Sequence, residues 1–65
     1  MQISVNGEAR EVVAATLAAL LQELEFGDAT VATALNQRFV RAVDRSATPL
    51  QQGDAVEIVS PRQGG

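Results

Sequence analysis

Apolar and polar positions alternate through residues 1–6, setting Met1, Ile3 and Val5 on one face and Gln2, Ser4 and Asn6 on the other. That period of two marks a half-buried strand. Asn6-Gly7 comes next, and this dipeptide suits a type I′ turn, which needs positive φ at both central positions. Residues 8–13, Glu-Ala-Arg-Glu-Val-Val, form the return strand. A two-residue turn sets Ile3 opposite Arg10 and Met1 opposite Val12. Arg10 then occupies an inward position, with its stem along the sheet edge and its head in water.

The period then changes. Leu17, Leu20, Leu21 and Leu24 fall at the i, i+3, i+4, i+7 spacing of one helical face. Thr16 suits the N-cap, where its hydroxyl can accept a first-turn backbone N–H. Gly27 suits the left-handed residue that stops a helix, so the helix is expected over about residues 16–26. Gln22, Glu23 and Glu25 lie off the leucine stripe. The two glutamates sit at the negative end of the helix dipole, a cost of a few tenths of a kcal/mol. Beyond the helix, residues 31–35 read as a third strand and 39–43 as a short fourth. Residues 46–52 read as a loop, since Pro49 resists regular structure, and Gly53-Asp54 as a turn. Residues 55–60 are the last strand, with Val56 and Ile58 on one face and Ala55, Glu57 and Val59 on the other. Pro61 ends it by removing a ladder donor. Residues 61–65, Pro-Arg-Gln-Gly-Gly, offer no large apolar side chain to bury and are expected to form a flexible tail after a domain of residues 1–60.

The predicted class is therefore α+β: a four- to five-stranded sheet with one amphipathic helix covering one face. The expected core is Ile3, Val5, Leu17, Leu20, Leu21, Leu24, Leu35, Val56 and Ile58, with Phe26 and Phe39 also packed inside.

Composition narrows the chemistry. The 65 residues contain no cysteine and no histidine, which removes disulfides and soft metal sites from the possibilities. Lysine is also absent, and all five basic residues are arginine. Cysteine nucleophiles, histidine bases and lysine Schiff bases are thus unavailable, and the chain is not expected to be an enzyme. A net charge of −3, with no Trp or Tyr, opposes phosphate backbones and offers poor base-stacking platforms. An acidic domain of this kind suits a protein partner with a basic or apolar groove. No basic segment precedes an apolar run, and residues 12–21 are too short to span a bilayer. A cytoplasmic chain is expected, with neither nucleic acid nor a membrane as partner.

The opening Met-Gln-Ile-x-Val-Asn-Gly-Glu resembles that of the ubiquitin-like β-grasp superfamily, and within it the ThiS family of sulfur carriers of thiamine biosynthesis. So do the helix segment Ala15–Leu24, Ala34-Leu35-Asn36, the run Gln52-Gly53-Asp54-x-Val56-Glu57-Ile58-Val59, and Gly64-Gly65 after a short tail. The resemblance spans the whole chain. It implies a mixed sheet whose first and last strands are parallel neighbours. It also implies that an E1-like adenylyltransferase, using ATP and Mg²⁺, adenylates the carboxylate of Gly65. A sulfur donor enzyme then supports conversion to a thiocarboxylate, and thiazole synthase receives the sulfur.

On that resemblance Gly65 carries the sulfur and Gly64 gives the tail access to the partner. The chemistry suits glycine, because a backbone without side chains can take whatever φ and ψ a narrow channel demands. Val59, Arg62 and Gln63 are candidate partner contacts. The chain itself holds no cofactor in this reading. The alternatives are a carrier resembling the small subunit of molybdopterin synthase, a ubiquitin-like modifier, and a β-grasp interaction module with no carrier role.

Overall fold

Two hairpins and one helix are joined through a last strand that runs between them. The computed structural model describes residues 1–27 and 29–60. In chain order the elements are strands β1 (Gln2–Val5) and β2 (Glu8–Glu11), helix α1 (Leu17–Glu23), strands β3 (Ala32–Leu35) and β4 (Arg38–Val40), a 3₁₀ helix at Ala42–Ala47, and strand β5 (Ala55–Val59). They form one five-stranded sheet in the order β2-β1-β5-β3-β4. β1 and β5 are parallel, and the other pairings are antiparallel.

The first hairpin has the predicted register, with Ile3 opposite Arg10 and the Val12 N–H donating to the Met1 carbonyl at 2.8 Å. Asn6 and Gly7 both have positive φ, 51° and 85°, as a type I′ turn requires. Arg10 is exposed despite facing the helix side. The second hairpin turns on Asn36 and Gln37, with φ of 51° and 71°, and pairs Leu35 with Arg38. It is a second turn of the same kind, built without glycine. Strand β4 consequently spans Arg38–Val40 and not the expected residues 39–43. The following segment, expected to be strand and then loop, coils into the 3₁₀ helix. Arg45 anchors that coil: its Nε donates to Thr33 Oγ1 at 3.0 Å and its Nη2 to the Val31 carbonyl at 2.7 Å. Thr33, itself buried, passes the interaction on by donating to the Val40 carbonyl at 2.8 Å.

Helix α1 is capped as its sequence predicts, with Thr16 Oγ1 accepting the Ala19 N–H at 3.1 Å. The loop before β5 adds a second cap, since the Leu17 N–H donates to the Thr48 carbonyl at 2.9 Å. The helix stops earlier than expected. Leu24 is its C-cap, and Glu25, with φ of 68°, is the left-handed residue that ends it; Gly27 is left-handed too, at φ of 56°, but two residues farther on. The Phe26 N–H reaches back to the Leu21 carbonyl and the Glu25 N–H to that of Gln22, the paired bonds of a Schellman ending. Glu23, expected only to oppose the dipole, accepts the N–H groups of Val13 and Ala14, the latter at 2.8 Å. Charge-assisted bonds of this kind each contribute about 1.5–3 kcal/mol when well buried and less when exposed, as here.

Leu17, Leu20 and Leu21 pack against Ile3, Val5, Val56 and Ile58 across the covered sheet face. Leu24, Leu35 and Phe26 are half-buried at the margin. Val12, which the hairpin register sets opposite Met1 on the inward face, joins the core, as do Ala14 and Leu50, which the pattern of residues did not single out. Leu50 is buried because its loop is tied to the helix start: its N–H donates to the Ala15 carbonyl at 2.9 Å, beside a bridge between Thr16 and Pro49.

Leu20 is fully buried, so Leu20→Ala should cost about 2–5 kcal/mol by leaving a cavity in a thin core. Thermal unfolding that shifts by less than a few degrees would remove Leu20 from that role. Glu25→Gly should instead stabilise the domain by about 0.5–1 kcal/mol, because glycine adopts positive φ without the Cβ strain. A lower denaturant midpoint for that variant would contradict the Schellman ending.

Candidate functional site

The end of β5 is where the structure brings candidate residues together. Alternation along this strand buries Val56 and Ile58 and exposes Ala55, Glu57 and Val59, as the sequence pattern predicts. Val59 is 58% exposed. Register extends its surroundings: Val59 is opposite Ala32, Glu57 opposite Ala34, and Ala34 opposite Phe39. Directly paired residues project to the same side of a sheet. Val59, Ala32, Ala34 and Phe39 therefore share the face that the helix leaves uncovered, with Glu57 among them.

Phe39 corrects the expectation of core packing. It is 71% exposed, and the reason is register. Because Thr33 opposite Val40 faces the core, the residue between Arg38 and Val40 must face outward. The Asn36-Gln37 pair could have revealed this, since a two-residue turn there fixes every pairing in the hairpin. Phe39 and Val59 are exposed on the same face, two strands apart and offset by two residues, with Ala32, Ala34 and Glu57 between them.

The other predicted site residues, Arg62, Gln63, Gly64 and Gly65, lie outside the described residues, as does the expected division at residue 61. Among the described residues no cluster of three or more potential metal ligands occurs, and no helix is long and apolar enough to cross a membrane. An open groove of about 340 Å³ lies against the helix-side margin, lined by Val5, Asn6, Glu8, Arg10, Leu24 and Phe26. It brings Glu8 and Arg10 near Leu24 and Phe26 at the helix end.

A family model described as the ThiS family matches residues 3–65. The chain belongs to the ThiS family. The sulfur carrier protein ThiS of Thermus thermophilus is 36% identical over 61 residues, covering 94% of this chain and 95% of that protein. The crystal structure of the thiamine biosynthesis protein ThiS from Geobacter metallireducens superposes with a TM-score of 0.84 at 32% identity, with both chains fully covered. A chain from the complex of subunits 1 and 2 of the molybdopterin-converting factor of Helicobacter pylori has a TM-score of 0.59 at 28% identity, again over the full length of both. The mixed sheet with one helix is thus the β-grasp fold of ThiS proteins.

The exposure of Phe39 sets a stability test. Phe39→Ser should change unfolding free energy by only about 0.5 kcal/mol, as for other surface positions. A loss of about 3–5 kcal/mol, the cost of truncating a core phenylalanine, would mean that the β3–β4 register is wrong.

Proposed function

We propose that this ThiS-family chain is a sulfur carrier for thiazole formation in thiamine biosynthesis, acting as a co-substrate of partner enzymes through the carboxylate of Gly65. The observation that carries this reading is the family match, which continues from residue 3 through Gly65. Nothing in the chain needs to catalyse. A carboxylate is a poor electrophile, so an E1-like adenylyltransferase activates it with ATP and Mg²⁺. A Gly65 oxygen attacks the α-phosphorus of ATP, the bond to the β-phosphate oxygen breaks, and pyrophosphate leaves. Hydrosulfide, delivered from a sulfur donor enzyme, then attacks the acyl carbon. AMP leaves, and a thiocarboxylate and a proton remain. Thiazole synthase accepts the sulfur.

The acyl-adenylate must be kept from water, so its formation belongs in a closed site on the partner. Gly64 and Gly65 are narrow enough to enter it, and Arg62 and Gln63 are candidate contacts along the way. The open sheet face with Phe39 and Val59 is the docking surface in this reading, since it adjoins the strand from which the tail departs. A second reading is a carrier for molybdopterin synthesis, favoured by the likeness to the chain of the molybdopterin-converting factor complex. The stronger likeness to the thiamine protein puts thiazole first.

Incubation with the cognate adenylyltransferase, ATP, Mg²⁺ and sulfide should replace one oxygen of Gly65 by sulfur, read by intact-protein mass spectrometry and located on the C-terminal fragment. Deleting Gly65, or extending the chain past it, should abolish the product while leaving the melting temperature unchanged. Gly64→Val should slow the reaction sharply, because β-branching restricts the backbone in a narrow channel. Sulfur transfer to thiazole synthase by the Gly65 deletion would defeat the carrier reading. A thiocarboxylate accepted by molybdopterin synthase alone would move the chain to the other pathway.

A further inference from the structure

Strand β1 pairs with β5 only through Ser4–Ala55 and Val5–Val56, and at Asn6 the backbone swings to positive φ and leaves for β2. The Asn6 side chain continues the contact. Its Oδ1 accepts the Ile58 N–H at 2.8 Å, and its Nδ2 donates to the Ile58 carbonyl at 3.1 Å. The carboxamide thus stands where a further peptide group of β1 would pair in a parallel ladder. Among side chains that favour this backbone, asparagine supplies donor and acceptor together. Asn36, first residue of the other hairpin turn and also at φ of 51°, is held in a related way. Its Oδ1 accepts the Ala55 N–H at 2.9 Å, and its Nδ2 donates to Asp54 Oδ1 at 3.1 Å.

The two turns differ in the residue that follows: Gly7 after Asn6, Gln37 after Asn36. Asn-Gly is the more reactive pair, because a glycine nitrogen has no adjacent side chain to shield it and its backbone rotates freely. That nitrogen gives up its proton to base and attacks the asparagine Cγ. The N–Cγ bond forms, the Cγ–Nδ2 bond breaks, and ammonia leaves with a proton. Water then opens the five-membered imide at either carbonyl. Opening at Cγ gives aspartate, and opening at the backbone carbonyl gives isoaspartate, with one extra carbon in the main chain.

In the folded domain the geometry opposes ring closure. Closure needs the Gly7 nitrogen nearly eclipsed with the Asn6 Cβ about the Cα–C bond. A type I′ turn has ψ of about 30° at its first central residue, which places that nitrogen nearly opposite Cβ. The carboxamide is meanwhile held on Ile58 through both polar atoms. Rotating the Gly7 nitrogen toward Cγ unwinds the turn and pulls the side chain from β5, so the two restraints are lost together. Asn6 and Gly7 are both exposed, and nothing lies within 4 Å of where a Gly7 side chain would stand. Water and base reach the pair freely, and conformation is the barrier that remains.

We propose that Asn6 is a latent modification site: loss of ammonia from Asn6-Gly7 is shut off while Asn6 is paired with Ile58 and proceeds when that pairing opens. The step is one-way. Aspartate presents a carboxylate oxygen where Nδ2 donated and leaves the Ile58 carbonyl without its partner. Isoaspartate lengthens the turn and displaces the side chain. A chain that has reacted cannot rebuild the junction of β1 with β5, so the modification is a covalent record of its opening.

The test holds the full chain in mildly alkaline buffer, folded or in urea, then cleaves after Arg10 and follows replacement of NH₂ by OH at Asn6 by mass spectrometry. The folded chain should react at least about tenfold more slowly than the urea-unfolded chain. As urea rises below the unfolding transition, reaction at Asn6 and amide hydrogen exchange at Ile58 should increase in proportion, since one opening exposes both. Asn36 should stay intact over the same period, folded or unfolded. Asn6→Asp, which creates the product of the aspartate branch, should lower the urea midpoint. Equal rates in the folded and unfolded chains would overturn the proposal. So would reaction at Asn6 that does not follow exchange at Ile58. Ammonia loss from Asn36 in urea as fast as from Asn6 would remove the role given to Gly7, and an unchanged midpoint for Asn6→Asp would overturn the one-way step.

Discussion

The parallel pairing of β1 with β5 is the contact on which the rest of the domain depends. Each hairpin is local: β1 and β2 are joined by two residues, as are β3 and β4. Neither can bury an apolar face alone. Only when β5 enters between them do the two ribbons become one sheet, wide enough to receive the leucine face of α1. Closing a long loop costs only slowly more as it lengthens, so the residues between β1 and β5 do not make this arrangement prohibitive. They do make it all-or-none, because Val56 and Ile58 contribute to the core only from that central position.

A consequence follows for mechanics. A terminal strand at a sheet edge would be held on one side and would peel easily. Here the terminal strand is the middle of five, bonded to β1 on one side and β3 on the other. Alternation adds a second economy, since Ile58 anchors the strand inward while its neighbour Val59 faces outward from the sheet.

The parts of this fold legible in sequence are those where one local rule acts alone. Asn6-Gly7 announced its turn, Thr16 its cap, the leucines their face and β5 its parity. What escaped depends on partners distant in sequence. Asn36-Gln37 makes the same turn as Asn6-Gly7 without the glycine that signals it, and from that omission came the misplacement of β4 and of Phe39. The 3₁₀ helix exists because Arg45 finds Thr33 and Val31, and Leu50 is buried because its loop caps the helix start. Glu25 takes the left-handed position that ends the helix, two residues before the equally left-handed Gly27. At the candidate site, Val59 was legible by parity, whereas Phe39 required the register.

The two asparagines show how a short chain reconciles conflicting demands on its first strand. β1 must turn back early to form a hairpin, yet β5 continues past that turn and would present unpaired peptide groups, each expensive to leave without a partner where water is excluded. Extending β1 would satisfy Ile58 by backbone pairing, but it would cost further residues of strand before the turn. A side-chain carboxamide ends the ladder without a further residue of strand. The same positive φ that releases β1 into its turn aims that carboxamide back at β5. One residue therefore terminates one strand and completes another, which explains on physical grounds why an asparagine stands at position 6 and not merely any residue that can turn.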